Sequence, residues 1–304
     1  MAGSAGQKFK DTVSNTLLRY KEDLNSIGQD LRAKPELGLH EYYANERLTT
    51  FLEQQNLLVQ KSYGSMATAF RGEFRSSHYS PSIHRTIAVL CEYDALPEIG
   101  HACGHNLIAE AGIVTALAVR EVLSQHQEVQ GRLVVLGTPA EETDAGRITL
   151  IQEGAFDDID FAMMVHPFAN NDLEPVILGM AVCSISFHST DEYGNAMDAA
   201  VAVYFEVAAL RQHFRKDCRA HGVMLDVGQS SWADKTFIPQ FTQSKYTVRA
   251  VRNEDVRQLR EKLAFIAEGV ASATGCRVQL PWQPPEGADC VYSGMVHNKT
   301  MAEV

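Results

Sequence analysis

Three short apolar runs, residues 87–91, 133–136 and 161–165, alternate with stretches of helical periodicity at 107–123 and 148–153. The runs are too short for core helices, and their unbroken apolar character predicts strands buried on both faces. Strands alternating with helices predict an α/β fold whose sheet is covered on both sides. In such a sheet the ligand site lies beyond the carboxyl ends of the strands. Clusters of cation-binding side chains fall at those ends.

Ahead of these runs, Phe9, Val13, Leu17, Tyr20, Leu24, Ile27 and Leu31 predict a helix over 8–33. Lys34-Pro35-Glu36-Leu37-Gly38 ends it, because proline and glycine break helices. Ala44, Leu48, Phe51 and Leu52 predict a second helix over 41–57, and residues 75–85 read as a surface loop. After His166-Pro167 the pattern becomes strand 181–187, helix 196–214, strands 221–227 and 245–251, helix 254–273 and strand 276–280. That β-α-β-β-α-β order predicts a ferredoxin-like α+β sandwich inserted into the larger domain, with Pro281-Trp282-Gln283-Pro284-Pro285 as its exit. At 304 residues the chain exceeds the usual size of one core. The expected division gives 1–178 and 288–304 to the larger domain and 179–287 to the insert.

Composition mainly excludes. A formal net charge of -11 argues against a nucleic-acid partner, which needs a basic face. No stretch approaches the ~20 apolar residues of a bilayer span, and the first residues lack the apolar core of a signal peptide. Six cysteines without the tight spacing of a disulfide framework read as thiols in a reducing compartment, so a cytoplasmic location is expected.

The first cluster is His101-Ala102-Cys103-Gly104-His105, where strand pattern gives way to helix. Cys and His are the soft and borderline ligands that hold zinc-like ions. The second is Glu141-Glu142, just past the 133–136 run. Adjacent carboxylates there are costly unless solvated or bound to something positive. They are either acids decorating a helix N-terminus, or Glu142 on a metal with Glu141 in proton transfer. The third is His166. Alone, a histidine at a strand end is more often an ordinary surface or core residue. Three ligand-type clusters at three strand ends favour a metal site, and with it a metal-dependent hydrolase.

These residues stand within Cys91-Glu92-Tyr93-Asp94-Ala95-Leu96-Pro97, His101 to Asn106, Gly137-Thr138-Pro139-Ala140-Glu141-Glu142 and Val165-His166-Pro167. Together with the early Lys34-Pro35-Glu36-Leu37-Gly38, they resemble the M20 metallopeptidases, and within them the amidohydrolase branch. The resemblance runs from about 17 to 298 and is strongest over 91–166. It implies a zinc-peptidase-like catalytic domain, a mixed sheet flanked by helices, with the inserted ferredoxin-like domain making a dimer contact. It implies a homodimeric two-metal hydrolase of amide bonds in dipeptides, of the β-alanyl-lysine type, or in N-acyl amino acids. Zinc is the expected ion, with manganese or cobalt as alternatives. Carried over, Cys103 takes a bridging position usually held by Asp, and His105, Glu142 and His166 are further metal ligands. Glu141 becomes the general base on an activated water, and Asp94 supports a neighbouring ligand. His101 receives no ligand role. On the insert, His188 matches a histidine lent to the partner's site, and His221 another substrate-side position.

The sequence also departs from the family pattern. The glycine-containing turn expected before His188 is missing, and segment 188–198 is shorter than in relatives. Thr236, before Phe237-Ile238-Pro239, stands where the family usually has Asn. The chain stops at Val304, where relatives continue into further strands, substrate loops and a last histidine ligand; His297 comes too early for that role. The expectation is one weak metal position, exposed apolar surface and little turnover. A catalytically dead binding or dimerisation partner is the competing reading. A redox protein using Cys103 is weaker still, since the sequence has no Cys-x-x-Cys pair.

Overall fold

The computed structural model describes residues 2–143, 146–172, 175–191, 193–227 and 238–283; Thr236, His297 and the 288–304 segment lie outside the described residues. The chain divides between Asn170 and Asn171 into two compact units.

The first unit begins with α1 (Ala2–Ala33), α2 (Tyr42–Gln54), β1 (Leu58–Lys61) and β2 (Phe70–Arg75). It continues through β3 (Thr86–Cys91), α3 (His105–Gln125), β4 (Arg132–Gly137), α4 (Gly146–Gln152) and β5 (Phe161–Met163). The sheet order is β1-β2-β4-β3-β5. β3 runs parallel to β4 and β5, whereas β2 is antiparallel to β1 and β4, so the sheet is mixed. The parallel trio sends the residues after Cys91, Gly137 and Met163 to one end of the sheet.

One sheet face carries the main core. Ile27 and Leu31 of α1, Leu48 and Leu52 of α2, and Ile113 and Leu117 of α3 pack with Phe70, Val89, Leu133 and Val135. α3 approaches β3 so closely that residue 112 must be glycine: a Cβ there would sit 2.4 Å from Cys91 Sγ and 3.0 Å from the Leu90 carbonyl oxygen. The opposite face, Ala88, Leu90, Val134 and Leu136, is covered among the described residues by Tyr63, Phe156, Ile159 and Met164 rather than by a long helix. Both faces are covered, as the apolar runs predict, but the helices concentrate on one.

Several local expectations change. Along α1 the buried stripe includes Thr12 and Thr16, while Leu17 is 43% exposed. The two threonines fit because each hydroxyl donates to the carbonyl four residues back, Lys8 and Thr12; Leu17 lies one residue, about 100°, off that stripe. The 161–165 run is not a buried strand: β5 stops at Met163 and its three residues are exposed. Among the described residues β3 alone pairs with it, at the end of the sheet order. β1 and β2 were invisible to apolar patterning because Leu58 faces solvent and β2 alternates Phe with Arg, Gly and Glu.

The second unit contains β6 (Gly179–Ser189), α5 (Ala196–Leu210), β7 (Arg219–Asp226), β8 (Phe241–Ala250), α6 (Asn253–Ala273), β9 (Cys276–Gln279) and β10 (Trp282–Gln283). β6 pairs with β8 on one side and with β9 and β10 on the other, and β8 pairs with β7, all antiparallel. This is the β-α-β-β-α-β sandwich of the sequence reading. Residues of α5 and α6, among them Val203, Val207, Leu259 and Leu263, pack on Phe187 and Tyr246. Asn195 starts α5 by accepting hydrogen bonds from the Met197 and Asp198 amides. Trp282-Gln283, expected as an exit segment, instead forms a short strand on β6. Among the described residues, no helix is long and apolar enough to cross a membrane.

Candidate metal centre

The centre is assembled at the carboxyl ends of β3, β4 and β5. β3 delivers Glu92 and Asp94, β4 delivers Glu141 and Glu142, and the segment after β5 delivers His166. α3 begins on His105, so that imidazole sits on a rigid helix rather than a loop. Gly104 precedes it at φ +85, where an L side chain is strained, and a Cβ there would lie 3.0 Å from Pro167 Cγ. Glycine therefore lets the Cys103 turn close against the His166-Pro167 segment.

His105 is completely buried. Its Nδ1 lies 2.9 Å from Asp94 Oδ1, and the second Asp94 oxygen accepts the Glu142 amide at 2.9 Å. With Nδ1–H directed at a carboxylate, Nε2 carries the lone pair of the neutral ring. Nε2 lies 3.8 Å from Glu92, 3.9 Å from Glu141 and 3.7 Å from Glu142 carboxylate oxygens. On the other side, Cys103 Sγ lies 3.6 Å from His166 Nε2, whose ring donates from Nδ1 to the Pro167 carbonyl at 2.8 Å. Two overlapping groups result, Cys103/His105/His166 and His105/Glu141/Glu142, each with its donor atoms within 4.8 Å of one another.

These donors fit a divalent cation. His105 Nε2 and Glu142 Oε1 are buried without hydrogen-bond partners, and each such atom costs about 1–3 kcal/mol unless something satisfies it. Thiol, imidazole and carboxylate together are a zinc-type set. The charge balance agrees. Burial pushes the Glu92 carboxyl up, although Arg147 opposes it. Burial also pushes Asp94 up, but the hydrogen bond and charge of His105 outweigh it and hold that carboxyl below its ordinary range. Burial pulls His105 down, yet Asp94, Glu92 and Glu141 outweigh it and raise its pKa. Burial, reinforced by Glu142, pushes the Cys103 thiol up to about 12. Without a cation, this thiol keeps its proton; a bound cation is what would release it.

Two supporting groups escaped the sequence reading. Glu92 is buried and paired with Arg147, the first turn of α4 thus supplying a cation beside the acids. Glu41, just before α2, is fully buried; its oxygens accept from Thr68 Oγ1 at 2.8 Å and from the Ala140 amide at 2.8 Å. Burial raises its pKa, opposed by those hydrogen bonds. A carboxylate at the opening of a helix pattern reads as ordinary helix-start decoration, so only tertiary contact could reveal either role. The Lys34–Gly38 motif does leave a trace here: the Glu36 carboxylate accepts the Tyr43 and Ala44 amides, and its carbonyl accepts the Ala95 amide.

Of the residues singled out in the sequence, Asp94, Cys103, His105, Glu141, Glu142 and His166 come together in the first unit. His101 belongs to neither donor group; its Nδ1 is buried without a hydrogen-bond partner. His188 and His221 belong to the second unit. His188 packs against Phe241 with ring centroids 4.9 Å apart and the rings tilted by 49°, and His221 is exposed on β7.

Comparison with known proteins agrees with this geometry. Peptidase family M20/M25/M40 matches residues 89–296. The chain is 33% identical to the Xaa-Arg dipeptidase of Mus musculus over 294 residues, covering 92% of this chain and 66% of the mouse protein. It is 34% identical to the Homo sapiens Xaa-Arg dipeptidase over 302 residues, again covering 92% and 66%. The chain thus spans just under two thirds of these relatives' length. Among solved structures, a putative aminohydrolase from methicillin resistant Staphylococcus aureus superposes with TM-score 0.73 at 19% identity, covering 93% of this chain and 77% of that one. A Bacillus subtilis protein described as a dinuclear metal binding peptidase from the M20 family gives TM-score 0.66 at 18% identity, covering 87% and 74%. The chain belongs to peptidase family M20/M25/M40.

Proposed function

We propose that this chain carries the cation-holding part of a hydrolase of amide bonds in dipeptides or N-acyl amino acids. One observation carries the reading: the unpartnered Nε2 of buried His105 and Oε1 of Glu142 share a cluster with Cys103, His166 and Glu141 at the strand ends. Cys103, His105, Glu142 and His166 would hold two divalent ions, zinc by preference and manganese or cobalt as alternatives. Such ions, when bound, acidify water and polarise a carbonyl.

The chain's own residues supply the rest. Asp94 fixes the His105 tautomer and, through the Glu142 amide, the position of the second acid. Glu141 takes the proton from the attacking water and returns it to the departing amine nitrogen. Dipeptides ending in a basic residue, including β-alanyl-lysine, are the substrates suggested by similarity to the Xaa-Arg dipeptidases. His188 and His221 are assigned to substrate contact, His188 across a homodimer built on the second unit. Among the described residues β7 pairs with β8 alone, and with Val223 and Leu225 more than half exposed its outer edge supports such pairing. Five unpaired cysteines among the described residues support a reducing, cytoplasmic setting.

Elemental analysis of purified protein, combined with hydrolysis of basic dipeptides and N-acyl amino acids, tests the reading. Glu141→Ala is expected to lower turnover by about 100-fold to 10,000-fold while leaving bound metal unchanged. Metal-loaded protein that dimerises but hydrolyses none of these substrates would favour a binding partner instead.

A further inference from the structure

The residue just before the catalytic pair is held in an unfavourable conformation. Ala140 has φ +58, in the left-handed region, which costs an L residue other than glycine or asparagine appreciable free energy. Ala140 is also fully buried, so its amide needs a protein partner. That partner is Glu41 Oε1, at 2.8 Å and 99 residues away in sequence. The other Glu41 oxygen is engaged by Thr68, whose carbonyl accepts from both Asn45 Nδ2 at 2.7 Å and Tyr93 Oη at 2.6 Å. Asn45 of α2 and Tyr93, just after β3, therefore hold Thr68, Thr68 holds the buried Glu41 carboxylate, and that carboxylate grips the turn carrying Glu141 and Glu142. On the far side of the pair, Asp94 grips the Glu142 amide. The turn is thus clamped at both ends. Gly38 packs close against this turn: a Cβ there would lie 3.0 Å from Ala140 Cα.

We infer that Glu41 is a positioning residue, whose hydrogen bond to the Ala140 amide holds the strained turn that aims Glu141 and Glu142 into the metal centre. The inference rests on the proposed reading of that centre. It makes the reach of the Glu41 side chain, rather than its charge, the decisive property. Glutamine can accept the Ala140 amide and donate to Thr68. Aspartate keeps the charge but is one methylene too short.

Cobalt(II) titration of the full chain, followed by the ion's visible absorption, separates the possibilities. Glu41→Gln should stay within about threefold of the unsubstituted chain, and Glu41→Asp should weaken binding by about tenfold or more, the scale of lost support around a ligand. Adding Ala140→Gly to Glu41→Asp should recover most of the loss, because glycine adopts positive φ without strain. A merely structural role would lower the melting temperature of Glu41→Asp without moving cobalt affinity, and Ala140→Gly would rescue nothing; either result overturns the inference. His105→Ala, which removes the donor common to both groups, is the control. Cobalt binding that survives it, or that is missing from the unsubstituted chain, overturns the reading of the centre and this inference with it.

Discussion

The two ends of the first unit's sheet treat charge in opposite ways. Toward the amino ends of the parallel strands, arginines and carboxylates are matched: Arg132 engages Glu73 and Asp158, Arg85 engages Asp160, and Arg71 reaches the same Glu73 and Asp158 from β2, opposite Leu136. At the carboxyl ends, Glu92, Asp94, Glu141 and Glu142 crowd around His105, with Arg147 as the one arginine paired among them in the described residues. The first network is neutralised from within the chain and has no use for a ligand. Among the described residues the second carries more acids than arginines and two unpartnered buried atoms, which is the setting a bound cation would balance. Buried acids alone do not mark a site; buried acids short of counter-charge do.

Substitutions at the two ends should therefore fail differently. His105→Ala removes the donor common to both groups, and cation affinity should fall by well over 100-fold, beyond the range expected for an outer support, as read by competition with a chelator. Asp94→Asn leaves the donor but loosens its tautomer and the Glu142 amide, so a loss of about 10-fold to 100-fold is expected. Arg71→Met, within the matched network, should leave cation affinity untouched and instead cost about 2 kcal/mol in urea denaturation, because the Ala155 carbonyl and the Glu73 and Asp158 carboxylates lose their donor. If Arg71→Met changed cation uptake, the contrast between the ends would collapse.

Acidity sharpens the same contrast. Partial burial pushes Glu73 and Asp158 up, but their arginines outweigh it and hold both below their ordinary values of 4.5 and 3.8. Their stabilisation is therefore present above those values and lost as pH falls through the lowered ones, so cation-free protein should weaken below about pH 4. The other end should respond at higher pH. His105 and Cys103 have raised pKa values, and each proton displaced by a cation makes affinity rise with pH, about tenfold per unit. Isothermal titration between about pH 6 and 8 checks that slope. A flat profile would mean that neither group gives up a proton on binding.

Much of this arrangement was legible in the residues. Unbroken apolar runs announced β3 and β4, and ligand-type side chains stood directly after them. The 3.6-residue periodicity found α3 and α6, and the strand-helix order found the second unit's sandwich. What stayed hidden depends on contacts between distant segments. Leu17 and Thr16 differ by one position, and only packing against α3 decides which turns inward. β2 carries Arg71 and Glu73, whose further partners Asp158 and Arg132 lie elsewhere in the chain, so its composition resembles a surface loop. Glu41 and Glu92 look like any helix-start or strand-end acids until Ala140 and Arg147 are placed beside them.

His105 stands in both donor groups, yet it offers a single lone pair, because its other nitrogen is committed to Asp94. One lone pair serves one ion. The two groups are thus rival claims on a shared electron pair, and filling one should disfavour the other unless an atom with more than one lone pair spans both. A deprotonated Cys103 sulfur, which the family resemblance places in a bridging position, would be such an atom. Stoichiometry at this centre would then be set by sulfur: Cys103→Ala would convert a two-ion centre into a one-ion centre while leaving the imidazole occupied.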